Sequence, residues 1–156
     1  MKIELDSKQY RDLMITIGVA DGVLEMLREG LPEEKNGAYI RQSDRIWALE
    51  SHLLGYAKDM DCEDMAETHG GELTLSDAVF EQEVTPLLDH YNEYMVYDAM
   101  ASELAWRDIV REIGAEEAEK LESANDEKSL ERIQKYEAKY WDEFDQNDFN
   151  RLEIQA

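Results

Sequence analysis

The stretch VTPLLDHYNEYMVYDAMASELAWRDIVREI, residues 84–113, decides the fold. It is the longest unbroken helical pattern in the chain and the richest in aromatic residues. At 100° per residue, Val84, Leu87, Leu88, Tyr91, Tyr94, Met95, Ala99, Ala105, Trp106, Ile109 and Ile113 fall on one broad apolar face. Asp98 and Ser102 stand in the middle of that face. Ser102, one turn on, is expected to be the hydrogen-bond partner of Asp98. The opposite side carries Asp89, Glu93, Glu103, Arg107 and Arg111.

Working back from this helix, ELTLSDAVF alternates at Leu73 and Leu75, and Ser76 can cap, so the helix is expected over about 77–113. Pro86 must lie in an early turn or kink it, because it has no N–H to donate. At the other end of the chain, MKIEL reads as a short strand, and Asp6 with Gln9 has capping-box spacing. The first helix runs to Glu29 and stops at Gly30, with Pro32 beyond. Leu13, Ile17 and Leu24 mark its main apolar face. Ile15, Val19 and Met26 lie on another side beside Gly18 and Gly22, where a neighbour can approach closely or a homodimer contact can form.

Residues 31–42 read as a polar connection with an Asn36-Gly37 turn signal. A second helix capped by Ser43 or Asp44 follows, to about Lys58, with Glu50 inside its apolar stripe. Residues 59–72 read as an acidic loop. After Gly114 come a short helix near 116–123 and a final one capped by Asp126 and ended by Asn147–Asn150. RLEI, 151–154, alternates again. The expected fold is mainly α: four to five helices bundled around a long central one, with a small sheet from strands near 1–5, 72–75 and 151–154. The terminal strands are expected to pair, since an isolated strand leaves its backbone groups unsatisfied. The whole chain, 1–156, reads as a single domain.

Charge bounds the function. The 156 residues carry 38 acidic and 16 basic side chains, a net charge of −22. That opposes direct nucleic-acid binding, whose affinity comes from Lys and Arg on phosphates, and it opposes an anionic membrane surface. No run of about 18 apolar residues or signal-peptide pattern is seen, and the single Cys62 cannot form an internal disulfide, so a cytoplasmic location is expected. From Asp59 to Trp106 there is no Lys or Arg, against thirteen Asp and Glu. Such a window sets up a negative field that attracts cations or a basic partner.

Motifs for chemistry are sparse. Asp98 and Glu50 sit on apolar faces, with Asp21 at the edge of another. If their helices converge, these carboxyls could raise one another's pKa or bind a divalent cation through oxygen. The competing expectation satisfies each acid separately through Tyr, Trp or backbone donors. No Glu-x-x-His pair, His-Glu-x-x-His, phosphate loop or nucleophile elbow occurs. Asp59, Asp61, Glu63 and Asp64 lack the Gly and terminal Glu of an EF-hand. Cys62 has acidic neighbours that raise its pKa. No catalytic residue or cofactor is assigned, and the chain leans away from an enzyme. The leading reading is a small acidic cytoplasmic interaction or regulatory module with a basic protein partner, or a homodimer. The alternative is an enzyme or divalent-metal-binding protein using Asp98, Glu50 and Asp21.

Overall fold

The computed structural model describes residues 4–124 and 126–151, with Glu33 described through its backbone alone. The chain is mainly α-helical with a small two-stranded antiparallel sheet. It forms two compact units, Met1–Tyr91 and Asn92–Ala156.

In the first unit, helix α1 (Ser7–Gly30) begins with the expected reciprocal cap. Asp6 Oδ1 accepts from the Gln9 N–H at 2.8 Å, and Gln9 Oε1 accepts from the Asp6 N–H at 3.1 Å. Helix α2 (Glu33–Leu54) starts almost at once. The expected loop over 31–42 and the helix start at Ser43 or Asp44 are therefore corrected. Pro32, at φ −57°, occupies the N-cap. The Asn36 side chain donates to the Arg28 carbonyl at 3.1 Å, one of the orphan acceptors at the end of α1. The turn-forming amide serves a neighbouring helix end, and Asn36-Gly37 stays helical.

Two 3₁₀ turns, Ala57–Met60 and Glu63–Met65, lead into β1 (Ala66–His69) and β2 (Glu72–Leu75). The strands pair antiparallel from Ala66 opposite Leu75 to His69 opposite Glu72. Gly70 and Gly71, at φ 62° and 94°, close the hairpin as the two left-handed residues such a two-residue turn requires. The strand at 72–75 is thus as expected, while its partner comes from the acidic segment expected to be a loop. Glu4 and Leu5 are not in a strand. Residues 1–3 and 152–154, and with them the expected terminal pairing, lie outside the described residues.

Ser76 caps α3 (Asp77–Val79), accepting from the Val79 N–H at 3.4 Å. The helix then widens into a π-helical segment (Phe80–Val84) and continues as α4 (Thr85–Ile113). The wide turn stands where Pro86 has no N–H to give.

Tyr10, Met14, Met65 and Val84 are the most deeply buried side chains of this unit, and the Tyr10 hydroxyl donates to the Leu53 carbonyl at 2.9 Å. A Cβ on Gly18 would stand 3.0 Å from both the Leu75 and Val84 side chains, and one on Gly22 would stand 2.5 Å from Leu88 Cδ1. The expected close approach therefore occurs. Ile15 and Val19 pack half-buried against this core, while Met26 on the same side of α1 is exposed.

In the second unit, α4 is followed by Gly114 at φ 84°, by α5 (Ala115–Ala124) and by α6 (Glu127–Asn147). Asp126 caps α6, accepting from the Ser129 N–H at 2.8 Å. The buried line of α4 here runs through Ala101, Ala105 and Ile109, a strict i, i+4, i+8 repeat of mostly small residues. The broad apolar face read from the sequence is only partly interior, because Tyr91, Tyr94 and Met95 remain 54%, 55% and 43% exposed. Aromatic packing closes the far end: Tyr97 stacks on Phe144 at 5.5 Å, and Phe149 meets both rings at 5.0 Å.

Candidate functional site

Among the three carboxylates singled out above, Glu50 and Asp21 belong to the first unit. Glu50 is 5% exposed, and its Oε1 accepts the Leu75 N–H at 2.8 Å. In an antiparallel pair successive N–H groups point to alternate sides, so the two-stranded sheet leaves Leu75 an outward-facing donor. Glu50 of α2 reaches that donor and fastens the end of β2. Burial pushes the Glu50 carboxyl above its ordinary value; the Leu75 hydrogen bond opposes the rise and the Asp21 charge adds to it. Asp21 of α1 accepts from Ser43 Oγ at 3.4 Å, and burial followed by the charge of Glu25 raises its pKa too.

Two helices therefore bring two acids into one electrostatic neighbourhood, and the buried one is satisfied by a backbone donor. Asp98 belongs to the second unit and is half-buried on α4. Ser102 is exposed and donates to Glu137 Oε1 at 3.0 Å, which corrects the expected pairing with Asp98. The acceptor is supplied by α6, 35 positions along the chain, and not by the preceding turn of α4. Among the described residues, no group of three or more His, Cys, Asp or Glu side chains is arranged to hold a metal ion.

The part of the window without Lys or Arg that belongs to the first unit is rich in exposed carboxylates. Asp59, Asp61, Glu63, Asp64, Glu72, Asp77, Glu81 and Asp89 are exposed. Only Asp64 among these pairs with a described cation, Arg11, at 2.8 Å. Arg11 also holds Glu83, so it ties the second 3₁₀ turn and the π segment to α1. Leu87 and Tyr91, one helical turn apart, add apolar surface at 50% and 54% exposure. Cys62 is buried, with its thiol donating to the Ser7 carbonyl at 3.6 Å. Burial pushes its pKa up, with Asp64 the largest of the charges that add to the rise. His69 and His90 are exposed.

One constellation was missed in the sequence. Asp108 of α4 gathers Tyr140 Oη, Lys139 Nζ at 3.1 Å, Arg107 Nη2 at 3.1 Å and, more loosely, Arg111 Nη1 at 3.9 Å. These donors, led by the Tyr140 hydroxyl, hold its pKa down at about 2. One turn further on, Glu112 accepts from Tyr136 Oη and from Arg132 Nη2 at 3.5 Å. Counting charge by helix face would have found this cluster: Arg107 and Arg111 stand four apart, and Arg132, Lys135 and Lys139 follow i, i+3, i+7. No described helix is long and apolar enough to cross a membrane. Compared with family models, with known proteins and with solved structures, the chain matches none.

Proposed function

We propose that the chain is an acidic interaction module whose partner is a basic protein, drawn to the exposed carboxylates of the first unit. The observation that carries this reading is the set of exposed carboxylates between Asp59 and Asp89, of which only Asp64 pairs with a described cation. Uncompensated charge of one sign raises the encounter rate with an oppositely charged surface and selects against partners of like charge. A second copy of this chain, also at −22, is disfavoured on the same ground. Leu87 and Tyr91 supply the apolar contact that charge alone does not, since aromatic and aliphatic anchors carry most interface energy.

The test compares affinity capture by the unaltered chain with capture by a Leu87→Ser/Tyr91→Ser double variant, at low and high salt. The reading expects a basic protein that is retained at low salt, released at high salt and lost by the double variant. Bound proteins that are acidic, or that are retained equally by both chains, overturn it.

A further inference from the structure

The second unit contains a surface of opposite character. Asp108, Arg111, Glu112, Arg132, Lys135, Tyr136 and Lys139 line a groove of about 830 Å³ between α4 and α6. Four cations face two carboxylates there, in a chain whose acids outnumber its bases 38 to 16. The two carboxylates are already committed: Asp108 to Tyr140, Lys139 and Arg107, and Glu112 to Tyr136 and Arg132. Lys135 forms no ion pair or hydrogen bond with any described residue. Arg111 reaches Asp108 only at 3.9 Å, with its side chain 69% exposed. The groove thus holds a set of mutually paired charges and, beside it, two cations with donors to spare.

We propose that this groove binds a small organic molecule bearing two or more phosphoryl groups. Arg111 offers a planar fork suited to two phosphate oxygens, and Lys135 a point charge beside it. Arg132, held by Glu112 at 3.5 Å, stands next to them as a third donor. The volume lies within the roughly 300–1,000 Å³ of small-molecule sites and exceeds what a lone phosphate fills. Net charge decides between a small ligand and an extended one. A duplex laid across the unit meets the field of the whole acidic chain, whereas a compact anion responds mainly to charges within about 8 Å at physiological salt. Among the residues lining the groove the cations are in excess, four to two.

The probe is inorganic tripolyphosphate, titrated calorimetrically into the full chain at low salt without metal. One site per chain is expected, weakening as salt rises. Arg111→Gln/Lys135→Gln is expected to weaken binding roughly a hundredfold, about tenfold per lost charged hydrogen bond. The control, Arg41→Gln/Lys58→Gln, removes the same charge from exposed residues that do not line the groove and is expected to leave binding within about twofold. Circular dichroism melts of both variants should overlay that of the parent, because none of the four side chains is packed. Three results overturn the proposal: no binding at millimolar tripolyphosphate, equal weakening by the control, or duplex DNA that competes on the same two residues as strongly as tripolyphosphate.

Discussion

Glu50 Oε1 stands 2.8 Å from the Leu75 amide nitrogen, joining the interior of α2 to the last residue of β2. An acid on the apolar stripe of a helix is thereby explained by a backbone donor on a strand, with no ligand required. The bond also fixes the entry to α3, because Leu75 is followed directly by the capping Ser76.

This contact separates two substitutions at one position. Glu50→Ala leaves a buried N–H without an acceptor and should cost about 1–3 kcal/mol. Glu50→Gln keeps the acceptor oxygen and removes a buried charge, so it should hold or raise stability at neutral pH. The folded-state pKa of Glu50 lies above its ordinary value of 4.5, so protonation favours the folded form. Its stabilising contribution is complete below pH 4.5 and is lost as pH rises through the folded pKa. Urea titrations across that range should show Glu50→Gln gaining on the parent as pH increases. A gain that is flat with pH would remove burial of the charge from the explanation.

Asp108 titrates in the opposite sense. Its folded pKa, about 2, lies below the ordinary 3.8, so its contribution is present above pH 3.8 and disappears as pH falls toward 2. Asp108→Ala removes the common partner of Tyr140, Lys139 and Arg107, and should cost about 1 kcal/mol at neutral pH, since Asp108 is largely covered but its cations are solvent-exposed and screened. The difference between parent and variant should close on acidification. Denaturant melts at pH 7 and near pH 2.5, followed by far-ultraviolet circular dichroism, measure it. An equal difference at both values would mean that packing, and not the charge of Asp108, is what the variant disturbs.

Local rules were legible wherever the chain itself supplied both partners. The Asp6–Gln9 box, the Ser76 and Asp126 caps and the Gly114 stop are local to a few residues, and each stands where propensity and capping chemistry place it, whereas α1 runs through Gly30 and is capped by Leu31. The start of α2 was not legible. Asn36-Gly37 has turn chemistry, yet Asn36 uses its amide on Arg28 of another helix, a contact no local window contains. The same reason hid β1: AETH has little strand character alone and becomes a strand because ELTL pairs with it across Gly70-Gly71. Among the candidate site residues, the anomaly of Glu50 was visible while its partner, 25 positions away, was not. The basic groove escaped for a different cause, since a total of −22 draws the eye to acids and away from where the few cations gather.

Phe144 should be the most sensitive position of the second unit. It is 3% exposed, stacks on Tyr97 at 5.5 Å and meets Phe149 edge-on at 5.0 Å. Phe144→Ala removes the ring common to both contacts and opens a cavity the size of the side chain, at a cost of about 3–5 kcal/mol. Phe144→Leu keeps most of the volume and should cost much less. Thermal melts of the pair decide this. Near-equal losses would show that ring stacking, rather than volume, is what Phe144 contributes.

Cys62 gives a direct probe of the first unit. The thiol is buried, donates to the Ser7 carbonyl at 3.6 Å, and has a pKa raised first by burial and then by Asp64. Both effects suppress the thiolate, which is the reactive form. The folded protein should therefore react with an aromatic disulfide reagent at least about a hundredfold more slowly than the urea-unfolded chain, because reaction must wait for local opening. Ser7 lies in the first turn of α1, so Asp6→Ala, which removes the cap at a cost of about 1 kcal/mol, should speed labelling roughly fivefold if fraying of that turn is the opening event. Labelling that is unchanged by Asp6→Ala but rises with Glu50→Ala would place the opening at the β2 tether instead.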